Sequence, residues 1–190
     1  LYAQHPVRID IAGTPESVGR ITSSDLKTVA NALYRPSAAT VTLVGDLDEQ
    51  TILEGFDARV QEAEGTIPQS DPVEERSDIF TPETTLRMDV GTSSFLVGIK
   101  DPCVLPSSPL DGLALVERKL AGRLITESLL GPSSSLFNEL FAQGVLNDSF
   151  GFQYVCERDF AYLVAGGESD KPVETAERML DAFRKACEHG

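Results

Sequence analysis

The chain has 190 residues, 41% of them hydrophobic and 24% charged, which is enough for one sizeable core or two small ones and too apolar for a disordered segment. Thirty acidic against sixteen basic side chains leave a net charge of −14, a field that repels the phosphates of nucleic acid and the anionic face of a bilayer. Nucleic-acid and membrane-surface binding are therefore excluded as functions.

In chain order, Thr22-Ser23-Ser24-Asp25 places an N-cap hydroxyl three residues before an acid. Leu26, Val29, Ala30 and Leu33 follow at i, i+3, i+4 and i+7, which predicts an amphipathic helix closed by Pro36. Thr40 to Val44 is a β-branched run bounded by Gly45-Asp46, the pattern of a buried strand. A second helix is capped by Asp48 and carries Ile52, Leu53, Phe56 and Val60 on its apolar face.

From Glu62 to Asp78 the periodicity fails: six acids stand against one Arg, with two prolines and isolated Ile67 and Val73. This predicts a solvated acidic linker between two structural units. Two strands, Thr84 to Val90 and Ser94 to Ile99, are expected to form a hairpin through Gly91-Thr92-Ser93. A long helix runs from Leu110 to Leu130 with the expected core stripe Leu113, Val116, Leu120, Leu124 and Ile125, stopped by Gly131-Pro132. A shorter helix, Ser133 to Gln143, turns Leu136, Phe137, Leu140 and Phe141 inward. Strands Ser149 to Val155 and Phe160 to Ala165 flank the turn Glu157-Arg158-Asp159, and Pro172 starts a last helix bearing Val173, Ala176, Met179, Leu180 and Phe183. Hairpins joined by helices predict an α+β fold, with helices packed on one face of a largely antiparallel sheet. The apolar run Thr40 to Val44 is expected to add to that sheet, in the same chain or by exchange with a second copy, completing a mixed sheet of about five strands.

Cys103, Cys156 and Cys187 are odd in number and lack CxxC spacing, so a disulfide framework is not expected and a reducing, cytoplasmic compartment is. No basic segment followed by an apolar run opens the chain, so neither a signal peptide nor an anchor is expected. A start at Leu1 and an end in helical pattern read as a piece of a longer protein.

Chemistry-bearing motifs are scarce. His5 and His189 stand at opposite ends, and both are expected on the surface. There is no HExxH, no HxxEH and no paired Cys/His spacing, so no metal site is expected within these residues. In the stretch from Gly13 to Gly19, five residues separate the glycines and Arg20-Ile21 follows, so a phosphate loop is not supported. Gly166-Gly167 likewise predicts a turn. Ser133-Ser134-Ser135 has the character of a helix cap, and Cys156 and Cys187 that of packing residues rather than nucleophiles. Glu117 and Glu127 are expected on the solvated face of the long helix.

The segments Leu1-Tyr2, His5 to Ser17, Ile21 to Leu26, Tyr34-Arg35-Pro36 and Val44 to Asp48, continued by Ser133 to Leu140 and Gly144-Val145-Leu146, resemble the insulinase/pitrilysin/mitochondrial processing peptidase family of zinc peptidases. That resemblance implies repeated α+β units whose zinc is held upstream of Leu1 by an inverted His-x-x-Glu-His helix and a distant Glu. Residues 1–64 would then be the end of a first unit, 65–78 an acidic linker, and 79–190 most of a second, non-catalytic unit. Many relatives hold the substrate peptide with an Arg and a Tyr in a pattern like L-R-E-x-x-G-L-A-Y. Here the matching run is one residue shorter, with Phe141 at the Arg position and Asn147 at the Tyr position. The continuation Asn147-Asp148-Ser149-Phe150 resembles a bacterial processing-protease branch whose partner is a related second chain.

The resemblance thus implies a non-catalytic, substrate-enclosing segment of a bacterial zinc metalloendopeptidase, inactive alone, with peptide substrate and a related subunit or second copy as partners of the whole protein. The alternative is a segment of a family member that has lost catalysis and serves as an interaction or scaffold subunit. Catalytic and metal-binding residues are assigned to none of these positions, and zinc is expected only in the longer protein.

Overall fold

The computed structural model describes residues 1–58, 60 and 73–189, and within these nothing is described of the side chains of Ala38, Ala186, Cys187 and His189. Most of the acidic stretch, with Ile67, lies outside the described residues. The chain divides into two compact units, one of Leu1–Arg8 with Pro72–Gly190 and one of Ile9–Asp71.

The smaller unit is helical. Helix α1, Pro15–Val18, is a single turn closed by a reciprocal cap between Thr14 and Ser17. Helix α2, Ser23–Leu33, begins with the expected capping box: the Thr22 hydroxyl accepts from the Asp25 N–H, and the Asp25 carboxylate accepts from the Thr22 N–H at 2.8 Å. Helix α3, Glu49–Asp57, is capped by Asp48. The apolar faces of α2 and α3 both form, yet Leu26, Val29, Leu33 and Leu53 are exposed. Thr40 to Val44 is not a strand and does not join the sheet; Val41, Leu43 and Val44 are exposed. A β-branched run makes a strand only when another edge offers its N–H and C=O groups a ladder.

In the larger unit, β1 (Ser94–Lys100), β2 (Gly151–Cys156) and β3 (Ala161–Glu168) form an antiparallel sheet in the order β1-β3-β2. It has three strands among the described residues, not the five expected. The segment Thr84 to Val90 is not a strand, with Leu86, Met88 and Val90 exposed, so the first expected hairpin is not made. Helices α4 (Gly112–Leu130) and α6 (Pro172–His189) pack on β2 and β1, and α5 (Ser135–Ala142) touches both helices. All three lie on one face of the sheet. There Phe95, Val97, Leu163 and Ala165 meet Leu130, Leu140 and Met179 in the main core. This is the α+β architecture expected, and it follows from the period-2 alternation of β1 and β3, whose burial switches at nearly every residue.

The long helix is turned the other way from the expectation. Leu113, Val116, Leu120, Leu124 and Ile125 are all more than half exposed, whereas Thr126 and Leu130 are buried. Gly122 sits so close to the sheet that a Cβ there would clash with the Tyr154 ring. A helix with apolar residues all round can present either face, and close approach at Gly122 selects the narrow one. Gly166 and Gly167 are not turn residues: they lie inside β3, where added Cβ atoms would meet the Phe95 carbonyl oxygen and Phe150.

Candidate functional site

The face of the sheet opposite the helices is crossed by the first residues of the chain. Leu1 lies over Gly98, where a Cβ would touch its side chain at 3.0 Å. The Tyr2 hydroxyl donates to the Ala161 carbonyl at 2.8 Å, and its ring packs edge-on against Tyr162. Burial pushes the Tyr2 hydroxyl well above the ordinary phenol range, against the smaller lowering effect of its bond to Ala161.

Glu75 ties this strap down. Its carboxylate accepts from the backbone N–H groups of Ala3 (3.0 Å), Gln4 (2.8 Å) and His5 (2.8 Å) and from the Lys100 ammonium (2.9 Å). Both side chains of the ion pair are buried, and Lys100 Nζ also sits 4.4 Å from the centroid of the Tyr2 ring. Burial alone would raise the Glu75 pKa; the three amides and the ammonium outweigh it and hold it at about 2. Glu75, expected in a solvated linker, is thus an interior residue. A charge run conceals such a position because composition does not say which acid meets converging donors.

His5 is also interior rather than exposed. It packs against Tyr2 and Phe160, its Nδ1 accepts from the Val7 N–H at 3.1 Å, and its Nε2 lies 3.4 Å from Asp159. With Nδ1 occupied by a backbone donor, the ring is a structural bracket for the strap.

A second carboxylate organises the helix side. Asp101 accepts from Arg118 Nε (2.8 Å) and Nη2 (2.6 Å), from the Tyr154 hydroxyl (2.7 Å) and from the Cys103 N–H (3.0 Å). Burial would raise its pKa, but the Arg118 and Tyr154 bonds hold it below the ordinary value. Burial and the bond to Asp101 push the Tyr154 hydroxyl up, and burial pushes the Cys156 thiol up.

Outside this knot lies a groove of about 620 Å³ between one face of α4 and the free edge of β2. Its helix wall carries Val116, Lys119, Leu120 and Arg123, and its floor runs along Phe152 to Glu157. The ladder sets which backbone groups face it. Glu157 N–H bonds the Phe160 carbonyl at 2.8 Å, so by antiparallel alternation Val155, Gln153 and Gly151 bond to β3. Phe152, Tyr154 and Cys156 therefore direct their N–H and C=O groups outward.

The two positions matched by resemblance to the family's substrate-holding pair do not line the α4–β2 groove. Phe141 is exposed on α5 and stacks on Phe137, with ring centroids 5.5 Å apart. Asn147 braces the turn before β2: its Oδ1 accepts from the Ser149 N–H at 2.8 Å, and its Nδ2 lies 3.4 Å from the Glu168 carbonyl. Ser134 caps α5 through the Phe137 N–H, as its position predicts. Among the described residues no three of His, Cys, Asp and Glu converge to hold a metal ion, so these residues do not fit a zinc centre. The carboxylates of Glu75 and Asp101, both with little exposed side chain, are already saturated by nitrogen and hydroxyl donors. No described helix is long and apolar enough to cross a membrane.

Residues 20–190 match the family model described as the Peptidase M16 inactive domain. Over 196 aligned residues the chain is 31% identical to the uncharacterized zinc protease YmfH of Bacillus subtilis (strain 168), covering 99% of this chain and 44% of that protein. The fold superposes on a crystal structure of an M16-like peptidase from Alicyclobacillus acidocaldarius with a TM-score of 0.84, at 30% identity, over 100% of this chain and 44% of that one. The chain spans less than half the length of these relatives. Match, identity and superposition agree, and the chain belongs to the M16 peptidase family as a non-catalytic segment.

Proposed function

We propose that this chain is the substrate-enclosing, non-catalytic part of a bacterial zinc metalloendopeptidase that processes peptides or proteins. It comprises the end of one family unit in residues 1–64, an acidic linker in 65–78, and most of a second unit in 79–190. The observation that carries the reading is the open α4–β2 groove, a peptide-sized channel in a segment whose described residues do not fit a metal centre. The matched inactive domain and the zinc protease relative support the division of labour, in which metal and general base belong to another part of the longer protein. Relatives from two bacterial species support a bacterial source. The free thiols of Cys103 and Cys156 support a reducing, cytoplasmic compartment.

The replacement of the substrate-holding Arg and Tyr by Phe141 and Asn147 favours a second reading, a scaffold subunit of a family member without activity. The exposed α4 stripe supports a related subunit or second copy as partner in either case. Cleavage of a quenched fluorescent peptide library by the longer protein separates the two. Zinc-dependent hydrolysis, absent from this chain alone, fits the enclosing role. No hydrolysis by the zinc-loaded longer protein, with or without its partner subunit, would leave the scaffold reading.

A further inference from the structure

We propose that Asp101 is a positioning residue for the groove: by holding Arg118 of α4 and Tyr154 of β2 at once, it fixes the width of the channel and with it the bulk of the peptide side chains admitted. This rests on the substrate-enclosing reading and names the residue that sets its selectivity.

Asp101 can act as an anchor because it is itself held. It follows directly on β1, and its N–H donates to the Ala161 carbonyl at 2.9 Å, so its backbone is bonded to the central strand β3 and to neither wall of the groove. From that fixed point the carboxylate reaches both walls. Oδ2 accepts from Arg118 Nε at 2.8 Å and from the Tyr154 hydroxyl at 2.7 Å, and Oδ1 accepts from Arg118 Nη2 at 2.6 Å. A guanidinium fork on a carboxylate fixes direction as well as distance, so Arg118 cannot swing without losing both bonds.

The helix depends on this tie. Among its nineteen residues α4 buries only Thr126 and Leu130, both in its last two turns, so apolar packing does little to hold the earlier turns that border the groove. Arg118, Gly122 and Thr126 follow at i, i+4 and i+8 along the face turned to the sheet. Arg118 is bound to Asp101, and Gly122 lies where any Cβ would clash with the Tyr154 ring. Val116, Lys119, Leu120 and Arg123 stand on the neighbouring face as the helix wall. Lift of α4 from the sheet, or rotation about its axis, therefore reshapes the groove directly. The Tyr154 ring is the spacer: it lines the groove from β2, lies under Gly122 and is anchored by its hydroxyl to Asp101.

The test is the affinity of the zinc-loaded longer protein for two fluorescein-labelled six-residue peptides, one alternating Thr with Ala and the other Thr with Phe, read by anisotropy. Asp101→Asn keeps the shape and removes the charge; Tyr154→Phe keeps the ring and removes only the hydroxyl. Each should free α4 to lift and shift the ratio of the two affinities toward the Phe peptide by about tenfold, the discrimination that small changes in pocket size produce. Arg118→Ala should do the same, and Arg118→Lys, a point charge in place of the fork, should recover part of the parent ratio. Glu75→Gln, at the strap on the opposite face of the sheet, is the control: it lowers stability yet should leave the ratio unchanged at a temperature where all variants are folded. Should Asp101→Asn not fold, Tyr154→Phe, which leaves the ion pair with Arg118 in place, decides the question.

A ratio that tracks melting temperature across the series, Glu75→Gln included, overturns the positioning role. Unchanged ratios with both peptides still bound overturn it too, and the enclosing reading stands. Leu120→Trp fills the groove and should abolish binding of both peptides. Binding that survives it, or failure of the parent protein to bind any of a wider peptide panel, removes the enclosing reading and the positioning role together.

Discussion

The Lys100 ammonium lies 2.9 Å from the Glu75 carboxylate with both side chains buried, and Glu75 simultaneously receives three backbone amides of the strap that begins the chain. One side chain thus fixes residues about 70 positions away in sequence to the back of the sheet. Removal of either charge strands the other in the interior.

Glu75→Gln is expected to destabilise the chain by about 3–5 kcal/mol in urea denaturation, the cost of breaking a buried pair from one side. Glu75→Leu combined with Lys100→Met should lose less than the sum of the two single changes. An additive result would mean that the pair is not coupled.

Acid should act through the same carboxylate. Glu75 falls from an ordinary 4.5 to about 2 on folding, so its contribution is fully present above pH 4.5 and is lost as pH drops toward 2. Asp101, also held below its ordinary value, acts in the same direction. Denaturation midpoints measured from pH 7 to pH 2.5 should fall below pH 4.5, and Glu75→Gln should flatten that fall.

Gly122→Ala sets two effects in opposition. Replacement of an interior helix glycine contributes about 1 kcal/mol of helix propensity. The new methyl, however, would clash with a Tyr154 ring that its bond to Asp101 keeps from moving aside. Overpacking of this kind costs about 1–3 kcal/mol, so the variant should be less stable by thermal melt. A gain in midpoint would show that α4 is free to lift.

The exposed stripe of α4 should tolerate charge. Leu113→Glu with Leu124→Glu, at positions 71% and 68% exposed, should change stability by less than about 0.5 kcal/mol per site. Light scattering should show less self-association than in the parent chain.

Dialysis against a chelator should leave the urea midpoint of this chain unmoved, because its described residues do not form a metal cluster. A midpoint that drops and recovers with added zinc would contradict this.

Helices α2 and α3 were legible because caps are local: Thr22 with Asp25, and Asp48 alone, decide their N-termini within three residues. The turn between β2 and β3 was legible for the same reason. What escaped depends on distant partners. Thr84 to Val90 has the alternation of a strand but is not paired as one, and the inward face of α4 was set by Tyr154, whose ring packs against Gly122 from another element. Glu75 and His5 look like surface residues in sequence, because a carboxylate with four donors and an imidazole bracketed by Val7 and Asp159 exist only once the strap is laid down. The site followed the same rule: the groove exists only between packed elements, with one wall from α4 and its floor from β2.

The strand order β1-β3-β2 also imposes a timetable on synthesis. β1 leaves the ribosome well before its sole ladder partner among the described residues, since Ser94 pairs with Glu168. At roughly 5–20 residues per second that interval lasts on the order of several seconds. Throughout it α4 and α5 emerge without a sheet to cover, and only the arrival of β3 lets the nascent chain bury them.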